Sequence, residues 1–203
     1  VCSNWRFEYT RFMIKSLENL IGSMKKLPGI GEKSALRYAL WLINNSQDAK
    51  EIAKNIETAV NLKKCKICRN LCEDDVCDIC LDSSRDKSTI CVVETIETLI
   101  NLESQHIYNG VYFVLWGLIS PLEGIYAKDL DLDKLQENAQ LAKEVILMLD
   151  DSIEGNLTAQ YIIDMLNGNV KITKPASGIP VGYNINSLDK LTLQKAFQNR
   201  IPY

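Results

Sequence analysis

Four cysteines in two closely spaced pairs restrict how the first half of this chain can fold. Cys65 and Cys68 form one Cys-x2-Cys pair, Cys77 and Cys80 form the other, and eight residues separate the pairs. Such a pair places two thiolates on one ion from a tight turn, and two pairs close a tetrahedral site. Four thiolates leave no open coordination position, so we predict one structural Zn²⁺ per chain that takes no part in catalysis.

Disulfide bonds are the alternative use of these cysteines. They are rare in the cytoplasm, where we expect this chain to act, so zinc is favoured. Cys72 lies inside the loop and could compete as a ligand, but its spacing from Cys68 makes it the weaker candidate. Cys91 falls in an apolar segment and is expected to be a small core residue. Four basic residues around the first pair either offset the thiolate charge or contact DNA: Lys63, Lys64, Lys66 and Arg69.

Upstream of the cysteines, apolar residues recur every three or four positions, which predicts helices over residues 14–24, 32–43 and 48–62. Leu27-Pro28-Gly29-Ile30-Gly31 lies between the first two and is a helix-hairpin-helix signature. Pro28 ends the incoming helix, and Gly29 and Gly31 permit backbone conformations and close approaches that other residues do not. The amides of this turn and the start of the next helix could bind a DNA phosphate.

Basic residues flank this hairpin. Lys33 and Arg37 are one turn apart on the same helix face, and Lys25 and Lys26 precede the turn. Contacts of this kind reach phosphates and not bases, so we expect DNA binding that is independent of sequence and sensitive to salt. The alternative is a joint between two helices, in which the glycines serve packing only.

Charge is distributed unevenly along the chain, although the net charge is only −3. From Arg11 to Arg69 there are twelve Lys or Arg against five Asp or Glu, a net charge of +7. The segment from Leu71 to Tyr203 has a net charge of −10. The first third is therefore suited to phosphates, and the acidic remainder to proteins or cations. Lysines that merely solvate helix faces are the alternative.

Strand-like segments alternate with helical ones after the cysteines, over residues 89–93, 111–115, 145–149 and 170–173. This alternation predicts an α/β domain with a mostly parallel sheet. We therefore expect an α+β protein of several modules: a helix-hairpin-helix domain at 1–64, a four-cysteine zinc finger at 65–82, an α/β domain at 87–169 and a C-terminal segment at 170–203. Residues 1–12, including Cys2, precede Met13 without a clear motif and are assigned no function.

Carboxylates follow two of the predicted strands. Glu94 ends the first, Asp150 and Asp151 end the third, and Glu154 opens the following helix. Acids at the carboxyl ends of neighbouring parallel strands meet at one edge of the sheet, where they could hold Mg²⁺ weakly or dock a basic partner. Solvated strand ends or helix caps are equally compatible with these positions.

Other function classes find little support in the sequence. No apolar run is long enough for a membrane span, and the charged opening segment is not that of a signal peptide. His106 lacks a partner for nucleophilic chemistry and is expected in a loop. The aromatic residues of the helices and strands are expected in the core and not as base-stacking surfaces: Tyr38, Trp41, Tyr112, Phe113 and Trp116.

The order of these features resembles the RecR family of bacterial recombination mediators, from about Ser16 to Pro202. The matching stretches are residues 27–35, the four cysteines, residues 119–125, 152–155 and 177–182, and the α/β domain resembles a Toprim domain. Trp116 stands where a glycine is usual, and Tyr183 also replaces a glycine. Tyr126-Ala127 replaces a Gly-Pro, and Asp150-Asp151 replaces an Asn-Pro type pair.

The resemblance implies a non-enzymatic protein of recombinational DNA repair in the cytoplasm. It implies sequence-independent DNA binding, assembly into a homo-oligomer, a ring-like tetramer, and action with RecO and RecF to load RecA onto single-stranded DNA. An enzyme is the second hypothesis, a Mg²⁺-dependent Toprim nuclease or primase-like protein that uses Glu94, Asp150 and Asp151. The Asp-x-Asp element expected of such enzymes is missing, since Ser152 follows Asp151. A structural zinc protein that does not bind DNA is the third.

Overall fold

The computed structural model describes residues 14–166, 168, 170–176 and 178–200. The opening segment of residues 1–12, with Cys2, lies outside the described residues, as does Ser177. The chain divides into two compact units, Val1–Asn61 and Leu62–Tyr203. The finer domain limits given above, including the one after residue 64, stay predictions.

Three helices form the described part of the first unit: α1 (Lys15–Met24), α2 (Glu32–Asn44) and α3 (Ser46–Ala59). Ile21 of α1 packs against Ala35 and Ala39 of α2, and all three are buried. Small alanine side chains at the contact let the two helices approach closely. The helix predicted over 48–62 begins two residues earlier, at Ser46, and ends three residues earlier, at Ala59, with Val60 as its C-cap.

Two aromatic residues of α2 are exposed, so their predicted place in the core is wrong. Tyr38 is 41% exposed and Trp41 is 47% exposed. Ala35, Ala39 and the half-buried Leu36 occupy the core-facing positions of this helix instead. Periodicity indicated the helix correctly, but the core of this unit is too small to cover every apolar residue that the pattern selects.

The second unit begins with a finger of two short strands and one turn of helix. Strand β1 (Lys63–Lys64) pairs antiparallel with β2 (Leu71–Cys72), and α4 (Asp78–Leu81) follows. The five cysteines of this segment are buried together, with Val76 and Ile79 packed against them. A module this short has few other apolar side chains to bury, so a metal is the usual source of its stability.

A four-stranded sheet follows, in the order β4-β3-β5-β6. Its strands are β3 (Asp86–Val93), β4 (Gly110–Val114), β5 (Glu144–Met148) and β6 (Lys171–Thr173), and each of the three pairings is parallel. The helices of this part are α5 (Ile96–Ser104), α6 (Leu132–Ala139), α7 (Ile153–Leu166) and α8 (Lys190–Gln198). The predicted α+β architecture with a parallel sheet is confirmed.

Successive side chains of the central strand β3 point to opposite faces of the sheet, so a hydrophobic core lies on each face. Ile90 and Val92 face the layer formed by α6 and α7, whereas Cys91 and Val93 face α5. Tyr112 and Phe113 of β4 are buried on opposite faces, so their predicted core positions are confirmed. Trp116 lies beyond the end of β4 and is exposed. Its predicted place in the core is therefore wrong, as it is for Tyr38 and Trp41.

Membrane insertion finds no support in the helices. Among the described residues, none of them combines the length and the apolar character that crossing a bilayer requires.

Candidate metal centre and nucleic-acid interface

Tight turns hold each cysteine pair in the finger. The amide of Arg69 donates to the carbonyl of Cys65 (3.0 Å), and Arg69 adopts a φ of 64°, which reverses the chain after the first pair. In the second pair, Cys77 precedes α4 and Cys80 lies within it, where its amide donates to the Cys77 carbonyl (3.0 Å). Both turns are short because two residues separate the cysteines of each pair.

The four sulfurs form a compact group with the dimensions of a zinc site. Cys65 Sγ lies 3.9 Å from Cys80 Sγ, and Cys68 Sγ lies 3.4 Å from Cys77 Sγ. All four lie within 4.8 Å of one another and are buried. A tetrahedral ion with Zn–S distances of about 2.3 Å requires sulfurs about 3.8 Å apart. The residues present therefore fit a four-thiolate Zn²⁺, as predicted from their spacing.

The thiols perturb one another's protonation. Hydrogen bonds with Cys68 and Cys80 lower the pKa of Cys77 to about 2, and the hydrogen bond to Cys77 raises the pKa of Cys68. Four thiolates this close repel one another unless a cation compensates their charge. Binding of Zn²⁺ to such a group releases protons, so affinity for the metal should decrease as the pH falls.

Cys72 lies outside the sulfur quartet. Its Sγ donates to the main-chain carbonyl of Asp74 at 3.0 Å, and it is absent from the group whose sulfurs converge. Cys91 is buried in β3, and burial raises the pKa of its thiol to about 12, as suits an unreactive core residue.

Three consecutive carbonyls of the first cysteine turn attach the finger to the α/β layer. The carbonyl of Ile67 accepts from Asn138 Nδ2 (2.9 Å), that of Cys68 from the Val114 amide (2.9 Å), and that of Arg69 from Trp116 Nε1 (2.7 Å). The finger is therefore hydrogen-bonded to the sheet at its β4 edge.

The side chain of Arg69 completes this attachment and was not recognised from the sequence. It is buried, donates to the carbonyls of Leu115 (3.0 Å) and Leu130, and places Nε 3.3 Å from Asp131 Oδ2. Burial lowers the pKa of Arg69, and the charge of Asp131 opposes this shift. In sequence, Arg69 is one of several basic residues beside the cysteines, and nothing in its spacing distinguishes it from them.

The hairpin of the first unit presents open backbone. Gly29 has a φ of 77°, the left-handed region that favours glycine, and the amide of Ile30 closes the turn on the Leu27 carbonyl (3.2 Å). Gly31 has an ordinary φ of −83°, and a Cβ added to it would meet no atom within 4 Å. Packing within the protein therefore does not require glycine at 31, which is the N-cap of α2, a position where glycine is common, and the space above it is open to a ligand.

Helix α2 begins at this hairpin with unpaired donors. The first bond into the helix runs from the Ala35 amide to the Gly31 carbonyl (2.9 Å), so the amides of residues 32–34 have no acceptor within it. Glu32 occupies the first turn, where its carboxylate lies 3.9 Å from Lys25 Nζ. Both partners are exposed, and a pair of this kind adds little stability.

The predicted phosphate-binding side chains are accessible. Lys26, Lys33 and Arg37 are exposed, and none of the three forms an ion pair within the described part of the chain. Arg37 packs its guanidinium 5.2 Å from the ring centre of Tyr38. Cations without carboxylate partners, next to a helix N-terminus, are suited to an anionic ligand.

The predicted acidic residues divide between two cavities. Glu94 follows β3, Asp150 follows β5, and the pairing of Val93 with Met148 puts both at the same edge of the sheet. Burial and the charge of Asp150 raise the pKa of Glu94. Glu94 and Glu154 line a cavity of about 220 Å³, whereas Asp150 lines another of about 500 Å³. In the described residues, only the cysteines bring three or more metal-type ligand atoms together.

Asp151 lines the same cavity as Asp150 and also contacts the C-terminal helix. Its carboxylate pairs with Lys195 of α8 and accepts a hydrogen bond from Asn156 Nδ2 (3.1 Å). These contacts lower its pKa, the Lys195 interaction most. Asp151 thus links the C-terminal helix to the end of β5.

Close packing explains the glycine at the start of α7. A Cβ on Gly155 would lie 2.0 Å from the carbonyl oxygen of Asp150, so a larger residue would push the helix away from β5. Ser152 Oγ accepts a hydrogen bond from the Gly155 amide (3.0 Å) and thereby caps this helix. The residues 152–155 noted in the sequence therefore position Glu154.

Comparison with known proteins identifies the family. Family models described as RecR helix-hairpin-helix, RecR four-cysteine zinc finger domain, Toprim domain and RecR C-terminal match residues 17–60, 62–82, 88–176 and 178–201. The "Recombination protein RecR" of Francisella tularensis subsp. holarctica (strain LVS) is 41% identical over 185 residues, which cover 89% of this chain and 92% of the relative. The protein of that name from Psychrobacter sp. (strain PRwf-1) is 38% identical over 193 residues, covering 93% of this chain and 99% of the relative. The chain belongs to the RecR family of recombination proteins.

Proposed function

We propose that this protein is a non-enzymatic, DNA-binding recombination mediator in recombinational DNA repair, acting in the cytoplasm. In this role it helps RecO and RecF to load RecA onto single-stranded DNA. The relatives named "Recombination protein RecR" support this proposal over nearly the whole chain. The observation that carries the DNA-binding part is the open space over Gly31 beside the unpaired cations of α2.

DNA binding is assigned to the hairpin. The amides after Gly31 donate to one phosphate, and Gly29 and Gly31 keep the surface low enough for its approach. Lys33 and Arg37 contact neighbouring phosphates, and Lys25 and Lys26 add positive charge on the other side of the turn. Such contacts are independent of base sequence.

The acidic edge of the sheet is assigned to protein contacts. Glu94, Asp150 and Glu154 offer negative charge to a basic partner, for which RecO and RecF are the candidates. A weak Mg²⁺ site is the second role for these acids, which would have to move closer together to share an ion.

A homo-oligomer, specifically a ring-like tetramer, is proposed for the assembled state. Exposed apolar side chains on α2 and α3 support it, because an apolar surface of this kind in a soluble protein usually marks an interface: Tyr38, Leu40, Trp41, Ile43, Ile52 and Ile56. Light scattering measures the mass directly, and a monomer at micromolar concentration would contradict the ring.

RecA loading on DNA coated with single-strand-binding protein tests the mediator function. We expect the protein, together with RecO, to shorten the lag before RecA ATP hydrolysis begins. No effect on this lag at any ratio of the two proteins would overturn the proposal. A DNA cleavage assay with Mg²⁺ tests the non-enzymatic part, which fails if cleavage occurs and Glu94→Ala abolishes it.

A further inference from the structure

Trp116 holds an exposed indole in a fixed orientation. Its backbone has a φ of 68°, its amide donates to the Glu94 carbonyl (2.8 Å), and its Nε1 donates to the Arg69 carbonyl (2.7 Å). The residue nevertheless remains 39% exposed. A positive φ at a tryptophan lowers the stability of the fold, because this backbone conformation favours glycine. The exposed ring buries too little apolar surface in the core to offset this cost.

Lys64 lies over one face of this ring, and Asp131, whose charge acts on Lys64, also contacts two further cations. Lys64 Nζ lies 4.1 Å from the ring centre, and Lys134 and Arg69 share one carboxylate, Asp131, at 3.9 and 3.3 Å. Three cations beside one carboxylate leave an excess of positive charge. An anion next to Lys64 and Lys134 would compensate this excess.

We propose that Trp116, Lys64 and Lys134 form a second DNA contact, specific for single-stranded DNA. A base stacks on the face of the indole that Lys64 does not cover, and the adjoining phosphates lie near the two lysine ammonium groups. This inference rests on the DNA-binding function proposed above and adds a site in the second unit to the hairpin of the first.

Single strands are selected because stacking on Trp116 needs a free base face. In a duplex each base stacks on its neighbours, so the indole finds no partner. Glu94 and Glu154 line the adjacent cavity together with Gly117, so the strand should follow the lysine side of the ring and avoid the acidic edge. A protein partner is less suited to this place, since the excess positive charge favours a polyanion.

Substitution of Trp116 by glycine tests the stacking without straining the backbone, because glycine accepts a φ of 68°. We expect Trp116→Gly to bind oligothymidylate about 5- to 150-fold more weakly, the equivalent of one base stack. Affinity for duplex DNA should stay within about twofold, since the hairpin contacts remain. Lys64→Ala should also weaken oligothymidylate binding, whereas Lys66→Ala serves as the control because Lys66 already pairs with Asp75.

Fluorescence provides a second readout. In the double variant Trp5→Phe, Trp41→Phe, the indole of Trp116 is the only one of the three that remains, and oligothymidylate should quench its emission more strongly than duplex DNA does. Unchanged oligothymidylate affinity in Trp116→Gly would overturn the inference and leave the proposed function intact. If Trp116→Gly lost equal affinity for single-stranded and for duplex DNA, that result would overturn the inference as well. Failure of the unaltered protein to bind any DNA at low salt would overturn both proposals.

Discussion

The main-chain carbonyl of Cys68 accepts a hydrogen bond from the amide of Val114, 2.9 Å away. Cys68 belongs to the sulfur quartet, and Val114 is the last residue of the edge strand β4. The turn that carries this metal ligand therefore supplies a hydrogen-bond acceptor to the sheet. Zinc should stabilise the sheet as well as the finger, because the turn that makes this bond depends on the metal for its shape.

Removing a zinc ligand should destabilise the second unit. We expect Cys77→Ser to lose zinc and to unfold at least about 10 °C lower, since a loss of about 5 kcal/mol shifts Tm by that much in a protein of this size. Zinc content by a metal-dye assay and thermal unfolding by circular dichroism measure both effects. Cys72→Ser is the matched control and should retain one zinc per chain; loss of its zinc would show that the ligand set is wrong.

Arg69 should be the basic residue of the finger on which stability depends most. Arg69→Ala leaves the carbonyls of Leu115 and Leu130 without their donor and removes the partner of Asp131, at a cost of about 3 kcal/mol. Lys66→Ala breaks only the exposed pair with Asp75 and should cost less than about 1 kcal/mol. Urea unfolding measures both, and equal costs would contradict the role of Arg69.

The two hairpin glycines should respond differently to substitution by alanine. Gly29→Ala forces a side chain into a φ of 77° and should cost about 1–2 kcal/mol of folding stability. Gly31→Ala finds open space and should cost at most about 1 kcal/mol, yet weaken DNA binding about tenfold by obstructing the phosphate. Thermal unfolding and fluorescence anisotropy separate these effects. Normal DNA affinity in Gly31→Ala would remove the reason assigned to that glycine.

Glu94 should make the stability of the folded protein depend on pH. Burial and Asp150 raise the pKa of Glu94 in the folded protein, so ionising this group disfavours folding. The stabilising contribution of protonated Glu94 to the free energy of unfolding is complete below the pKa that Glu94 has in the unfolded chain. This contribution is lost as the pH rises through the higher pKa that Glu94 has in the folded protein. Glu94→Gln should therefore be more stable than the unaltered protein at pH 7, with the difference disappearing near pH 4. Denaturant midpoints at the two pH values test this, and a destabilised Glu94→Gln at pH 7 would contradict it.

Local patterns predicted the features of this chain that depend on neighbouring residues. The cysteine spacing predicted the sulfur quartet because only two residues separate the ligands of each pair, which places both within one turn. The period of apolar residues predicted α1, α2 and the strands to within a few residues, because each element buries one face or is buried on both. The hairpin followed from Pro28 and the two glycines for the same reason.

Interactions between residues distant in sequence were not predictable in this way. Arg69 and Leu130 are far apart along the chain, and only the folded sheet brings the guanidinium to the carbonyl. Trp116 was expected in the core because it follows apolar strand residues, but the strand ends at Val114 and the chain turns at a positive φ. The acids were predicted to meet at one edge, yet which cavity each lines depends on the packing of α7 against β5.

DNA binding as a function of salt concentration tests the central claim that the hairpin binds phosphates. The measurement compares the unaltered protein with the double variant Lys33→Ala, Arg37→Ala. We predict a steep decrease of log affinity with log salt concentration for the unaltered protein, and a slope smaller by about 2 for the variant, one unit for each phosphate that the variant no longer neutralises. An unchanged affinity and slope in the variant would contradict the account and place the principal DNA site outside the hairpin.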